Sequence, residues 1–131
     1  MNSNSWVAVG GGAAVGAWLR YFFSLHFDPL FHFISLGTLA SNILGGFLMG
    51  IAVAFFNQKV SLAPEIRLAV TTGFLGGLTT FSTFSAETVT LLIQHEYYWT
   101  ILIILSHVIG SLSMTALGIL AMNYFFTRKN P

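Results

Sequence analysis

Residues 71–90 read Thr-Thr-Gly-Phe-Leu-Gly-Gly-Leu-Thr-Thr-Phe-Ser-Thr-Phe-Ser-Ala-Glu-Thr-Val-Thr. Nine of these twenty are Ser or Thr, and Gly73, Gly76 and Gly77 fall among them. Paired glycine followed by β-branched threonine is poor helix material. In a membrane, a break here frees carbonyls and amides that lipid cannot satisfy, so they must face protein, a cavity or an ion. Broken helices of transporters hold small ions in this way. The alternative is close packing on glycine, with the hydroxyls bonded back to their own helix. Further on, Phe81, Phe84, Ser85 and Thr88 share one helical face. An aromatic ring has a negative face and a positive edge. Ring edges beside hydroxyl donors suit an anion without a formal charge to trap it, although a Phe pair at this spacing also serves as plain core.

Other polar side chains stand in apolar surroundings. Asn42 is followed by Gly45 and Gly46 and preceded one turn earlier by Thr38. A buried amide in lipid needs a partner, either across helices or on an ion path. His107, Ser111 and Thr115 recur every four residues as a polar stripe, equally suited to helix contact or to a pathway. Glu87 is the one carboxylate set well inside an apolar run. It is a candidate cation or proton site, or an acceptor for hydroxyls near an interface. Arg20 either snorkels to the interface or lines a vestibule.

The elements that position these residues follow from composition. The chain has 131 residues, 55% hydrophobic and only 7% charged, where soluble domains run near a quarter charged. A water-facing globule is excluded, and so is disorder. A net charge of +1 is too small to hold a phosphate backbone, and the absence of cysteine removes disulfides and thiolate sites. Charge-free runs cover 1–19, 29–58, 68–86 and 97–127. Crossing about 30 Å of hydrocarbon takes roughly 20 apolar helical residues. Four transmembrane helices are therefore expected, near 5–25, 33–56, 65–93 and 98–126, in a single domain. Polar turns are expected at 26–32, 57–64 and 94–96, with a tail at Thr127–Pro131. Aromatic residues near the span ends, such as Trp6, Tyr21, Phe55, Trp99 and Tyr124, form an interfacial belt.

No basic region precedes the first apolar run, so no cleaved leader is expected. Lys59, Arg128 and Lys129 share one side, which favours cytoplasmic termini. Four short helices leave little interior for a polar path, so a homo-oligomer is expected. Gly12 with Gly16 and Gly46 with Gly50 supply small-residue surfaces, for contact either between chains or within one. From residues alone, four functions compete. They are an anion pathway, a small dimeric proton-coupled cation or drug antiporter using Glu87, an accessory subunit without transport, and an intramembrane hydrolase pairing Ser85 with His107.

The string Thr71–Glu87 resembles the signature of the Fluc-type fluoride channels, the CrcB family. Supporting matches are Gly11-Gly12, Gly16 and Arg20-Tyr21 in the first span, Gly37-Thr38-Leu39 and Asn42 in the second, and Gly110-Ser111 with Met114-Thr115-Ala116-Leu117-Gly118 in the fourth. The likeness covers nearly the whole chain. It implies a passive fluoride-selective channel in the bacterial inner membrane, not an enzyme, that lowers cytoplasmic fluoride. It also implies an all-α fold with a broken third helix, assembled as an antiparallel, dual-topology homodimer with two pores. By the same resemblance the breaks cross at the dimer centre and hold one Na⁺ through the carbonyls of Gly76 and Thr79. The family's Phe pair maps onto Phe81 and Phe84 and its pore asparagine onto Asn42. Its polar track maps onto Ser82, Thr83, Ser85, Ser111 and Thr115, with Thr38 on the path and Arg20 in the vestibule. Glu87 matches the acidic residue after the string.

Overall fold

The computed structural model describes residues 3–59 and 61–129, and every regular element among them is helical. The expected tail and the 57–64 turn fall partly on residues 60, 130 and 131, which lie outside the described residues. Helix α1 spans Ser3–Phe27, and a single 3₁₀ turn follows at Asp28–Leu30. Helix α2 spans Leu36–Gln58 and is capped by Ser35, whose hydroxyl accepts from the Thr38 N–H. A five-residue helix α3, Pro64–Leu68, widens into a π-helical stretch at Ala69–Leu75 and then a single turn, α4, at Gly76–Leu78. Helices α5, Phe81–Ile93, and α6, Tyr97–Lys129, complete the chain. By length and composition, α2 and α6 are long and apolar enough to cross a membrane.

The turn between α5 and α6 is tight for a definite reason. Glu96 N–H donates to Leu91 O at 2.9 Å and His95 N–H to Leu92 O at 3.1 Å. These are the two bonds of a Schellman motif. The motif places His95 in the left-handed region, at φ 62°, where glycine is the usual residue.

Helices pack here through glycine rather than through large side chains. The fully buried large hydrophobics are few, chiefly Leu75, Leu78 and Ile103, while Trp6, Trp18, Leu112 and Leu120 face outward. Such an apolar exterior suits lipid, whose tails are as apolar as leucine. A Cβ on Gly16 would run into the Phe74 carbonyl and stand 2.7 Å from Leu78 N. On Gly73 it would meet Val9 O at 2.7 Å, and on Gly77 the Ala13 carbonyl. Thus α1 lies backbone to backbone against the π-helical stretch and α4. Gly46 and Gly50 do the same for α2 against Ser111, Thr115 and Gly118 of α6. The two glycine pairs that the sequence left open are thereby both used within one chain.

Three contacts fix which ends lie together. Gly12 abuts Ala69, Arg67 Nη2 donates to Lys59 O at 2.9 Å, and Gln58 Nε2 donates to Asn123 Oδ1 at 3.3 Å. The start of α1, the α2–α3 connection and the far part of α6 therefore share one end.

Candidate functional site

The irregular backbone between α4 and α5 is the centre of the site. The glycine pair does not itself leave the helix: Gly76 has φ −65° and ψ −34°. The extended residues are the next two, Thr79 (φ −83°, ψ 153°) and Thr80 (φ −147°, ψ 117°). Their local chemistry explains the position. Thr79 Oγ1 donates to Leu75 O at 2.8 Å, beside the Thr79 N–H bond to the same carbonyl at 3.0 Å. Thr80 then caps α5, its hydroxyl accepting from Thr83 N–H at 3.2 Å.

What replaces the lost helical bonds is a side chain 38 residues away. Thr80 N–H donates to Asn42 Oδ1 at 2.7 Å, and Asn42 Nδ2 donates to Thr80 O at 3.0 Å. A backbone N–H is only a donor, so this pair fixes which end of the amide is oxygen. The second hydrogen on Asn42 Nδ2 faces His107 Nδ1 at 3.0 Å. Arg20 provides another replacement, its Nε donating to Gly77 O at 3.1 Å.

Among the described residues, the carbonyls of Gly76 and Thr79 gain no such partner. A continuous helix would give the Thr80 N–H to Gly76 O and the Thr83 N–H to Thr79 O. Here those donors go to Asn42 and to the Thr80 hydroxyl instead. Gly76 is exposed and Thr79 half-buried. Carbonyl oxygens freed in this way are the donor set a hard monovalent cation takes.

A cavity of about 330 Å³ opens against this break. Of the residues singled out from sequence, Asn42, Thr79, Phe81, Phe84, Ser111 and Thr115 line it. The Phe81 and Phe84 ring centroids are 5.5 Å apart with a 56° tilt, and Phe81 is 78% exposed, at the open edge of the single chain. His107 also lines the cavity, its ring 4.8 Å from that of Phe84. Its four-residue spacing with Ser111 and Thr115 is visible in the sequence, but its bond to Asn42 is not.

A second cavity, of about 630 Å³, is lined in part by Thr83. Thr38, Thr83 and Glu87 line it, together with Asp28 and Ser35. Asp28 Oδ1 accepts from Ser35 Oγ at 2.6 Å and from Gly37 N–H at 2.8 Å. Thr38 Oγ1 lies 2.7 Å from Ser35 Oγ and donates to Glu87 Oε1 at 3.4 Å, leaving Glu87 Oε2 buried without a partner. Ser82, Ser85 and Arg20 line neither cavity. The Ser82 hydroxyl instead lies 3.1 Å from Thr80 Oγ1.

Residues 7–119 match the family model described as "CrcB-like protein, Camphor Resistance (CrcB)". The chain belongs to the CrcB family. Among curated CrcB relatives, a protein of Nitrosospira multiformis named "Fluoride-specific ion channel FluC" is 57% identical over 117 residues, covering 89% of this chain and 91% of the relative. Proteins of the same name from Cupriavidus metallidurans and Pseudomonas putida are 55% identical over 119 residues and 50% over 125. They cover 91% and 95% of this chain, and 94% and 98% of their own lengths. A membrane channel family leaves no place for an intramembrane hydrolase at Ser85 and His107.

Proposed function

We propose that this protein is a fluoride-selective channel, which lets fluoride leave the cytoplasm passively across the bacterial inner membrane. The observation that carries the reading is the cavity of about 330 Å³ at the break. It joins the polar groups of Asn42, Ser111 and Thr115 to the Phe81 and Phe84 rings, with no Asp, Glu, Lys or Arg in its lining. The names of the relatives supply the identity of the ion.

The chemistry is one of replaced hydration. Desolvating a small anion in a low dielectric costs on the order of tens of kcal/mol. Neutral dipoles offset that cost without making the anion a permanent resident, as a mid-pore Lys or Arg would. Chloride is larger, and a narrow donor-lined path selects against it. Thr38, Thr83 and the second cavity provide an entrance, while Ser82 and Ser85 extend the hydroxyl track along α5.

The reading includes four crossings per chain, made by α1, α2, the interrupted α3–α5 unit and α6. It includes an antiparallel, dual-topology homodimer. The exposure of Phe81 and Gly76 at the edge of one chain supports a second copy against the break. Na⁺ would be held by the Gly76 and Thr79 carbonyls of both copies, supplying a fixed positive charge and satisfying the freed oxygens. A proton-coupled antiporter built on Glu87 is set aside, because the break and the cavity against it contain no carboxylate.

The test is efflux from liposomes carrying the purified protein, loaded with sodium fluoride and read with a fluoride electrode. Fluoride leaves rapidly and chloride stays. Vesicles that hold fluoride as well as protein-free ones do would end the proposal.

A further inference from the structure

We infer that His107 is an anion-binding residue of this channel, acting through its Nε2–H, and that Asn42 is the positioning residue that keeps the proton there. The inference rests on the fluoride-channel reading and deepens it.

The argument starts with Asn42. Its Oδ1 is taken by Thr80 N–H and one Nδ2 hydrogen by Thr80 O. The other Nδ2 hydrogen points at His107 Nδ1, 3.0 Å away. An amide nitrogen has no lone pair to accept with, so Nδ1 accepts. A neutral imidazole that accepts at Nδ1 carries its proton on Nε2. Both donors of Asn42 are then engaged, and of these two bonded side chains it is His107, through Nε2–H, that keeps a donor free for an anion.

That group is unpaired. His107 is 4% exposed, and Nε2 is a buried nitrogen without a hydrogen-bond partner. A buried donor left without a partner is costly and so calls for an explanation. The imidazole lines the cavity between Asn42 and Ser111. The Phe84 ring packs on it at 4.8 Å and a 33° tilt, and both rings line the cavity. A neutral N–H donor also meets the release requirement, since it binds an anion without a formal charge.

Glutamine and asparagine separate this role from packing. Glutamine carries an amide nitrogen near the Nε2 position and gives up the acceptor for Asn42. Asparagine carries its amide near Nδ1 and gives up the donor. In liposome efflux with sodium fluoride, His107→Gln is expected to retain flux within about threefold. His107→Asn and His107→Phe are expected to lose about tenfold or more, the worth of one hydrogen bond to a charged group. Size-exclusion profiles show that each variant is assembled. Independently, ¹⁵N-histidine NMR of the wild type, with the His107 signals assigned by their absence from a variant, should place the proton on Nε2. That N–H resonance should shift with sodium fluoride and not with sodium chloride.

Flux of His107→Phe or His107→Asn equal to wild type, or equal loss in the Gln and Asn variants, overturns the inference. So does a proton on Nδ1, and the NMR decides if His107→Gln fails to assemble. Wild-type vesicles that fail to pass fluoride would instead sink the channel reading itself, which separates the two failures.

Discussion

Replacing Asn42 with leucine, a side chain of similar size, tests the central joint of the structure. Three hydrogen bonds disappear: Thr80 N–H to Oδ1 at 2.7 Å, Nδ2 to Thr80 O at 3.0 Å, and Nδ2 to His107 Nδ1 at 3.0 Å. In water, buried groups left without partners would each cost about 1–3 kcal/mol. In a bilayer, interhelical bonds of this kind average about 0.6 kcal/mol and reach about 1.7 kcal/mol, because the unfolded chain also finds partners there. The expected loss is therefore about 2–5 kcal/mol, at the upper part of the range since two of the three groups belong to an extended backbone with no helical alternative. The assay is unfolding in mixed micelles at rising SDS fraction, followed by circular dichroism, with amide hydrogen exchange at Thr80 as the local readout. Wild-type Thr80 N–H should be protected and the variant's should exchange faster. An unchanged SDS midpoint together with unchanged protection at Thr80 would refute the claim that Asn42 holds the break.

Three further outcomes are expected. Gly50→Ala places a methyl against the Thr115 carbonyl and 2.9 Å from Ile119 N, so it should destabilise by about 1–3 kcal/mol, while Gly11→Ala, with nothing within 4 Å, should be neutral or slightly stabilising in the same SDS titration. His95→Gly removes the left-handed strain at φ 62° and should raise the SDS midpoint, by an amount up to about 1 kcal/mol; a lowered midpoint would contradict it. Phe81→Ile removes a ring at the open edge of the cavity, and fluoride efflux should fall about three- to tenfold, in line with an aromatic contact of about 1 kcal/mol, with the size-exclusion profile unchanged.

The helical class was legible because charge is so scarce that four long apolar runs stand out between nine charged residues. The candidate residues were legible by type: Asn42, Phe81, Phe84, Ser111 and Thr115 are unusual in apolar runs, and they line one cavity. What was not legible was partnership. The glycine pairs at 12/16 and 46/50 fit contact within or between chains equally well, and only the close approach of α1 to Phe74 and of α2 to Thr115 decides the matter. The π-helical stretch at Ala69–Leu75 leaves no mark in the sequence, since glycine propensity says where a helix is weak and not how it deforms. Arg20 is expected at the interface or in a vestibule, and neither expectation names the bond its Nε makes to the Gly77 carbonyl, a pairing set by how closely α1 lies on α4.

The location of the extended residues teaches the same lesson in energetic form. Propensity points to Gly76–Gly77, where a helix costs about 1 kcal/mol per glycine relative to alanine. That penalty is smaller than the cost of leaving peptide groups unpaired in lipid. The chain therefore stays helical through the glycines and leaves the helix only at Thr79–Thr80, where replacement bonds exist: Asn42 for both groups of Thr80, the Thr80 hydroxyl for Thr83 N–H, and Arg20 for Gly77 O. The glycines serve a different need, the approach of α1, whose Ala13 carbonyl occupies the space a Cβ on Gly77 would fill. The break is thus positioned by the availability of partners on α1 and α2. Moving the amide along α2, by exchanging Asn42 with Gly46 one turn away, would remove the break's partner even though the third segment keeps its own sequence unaltered.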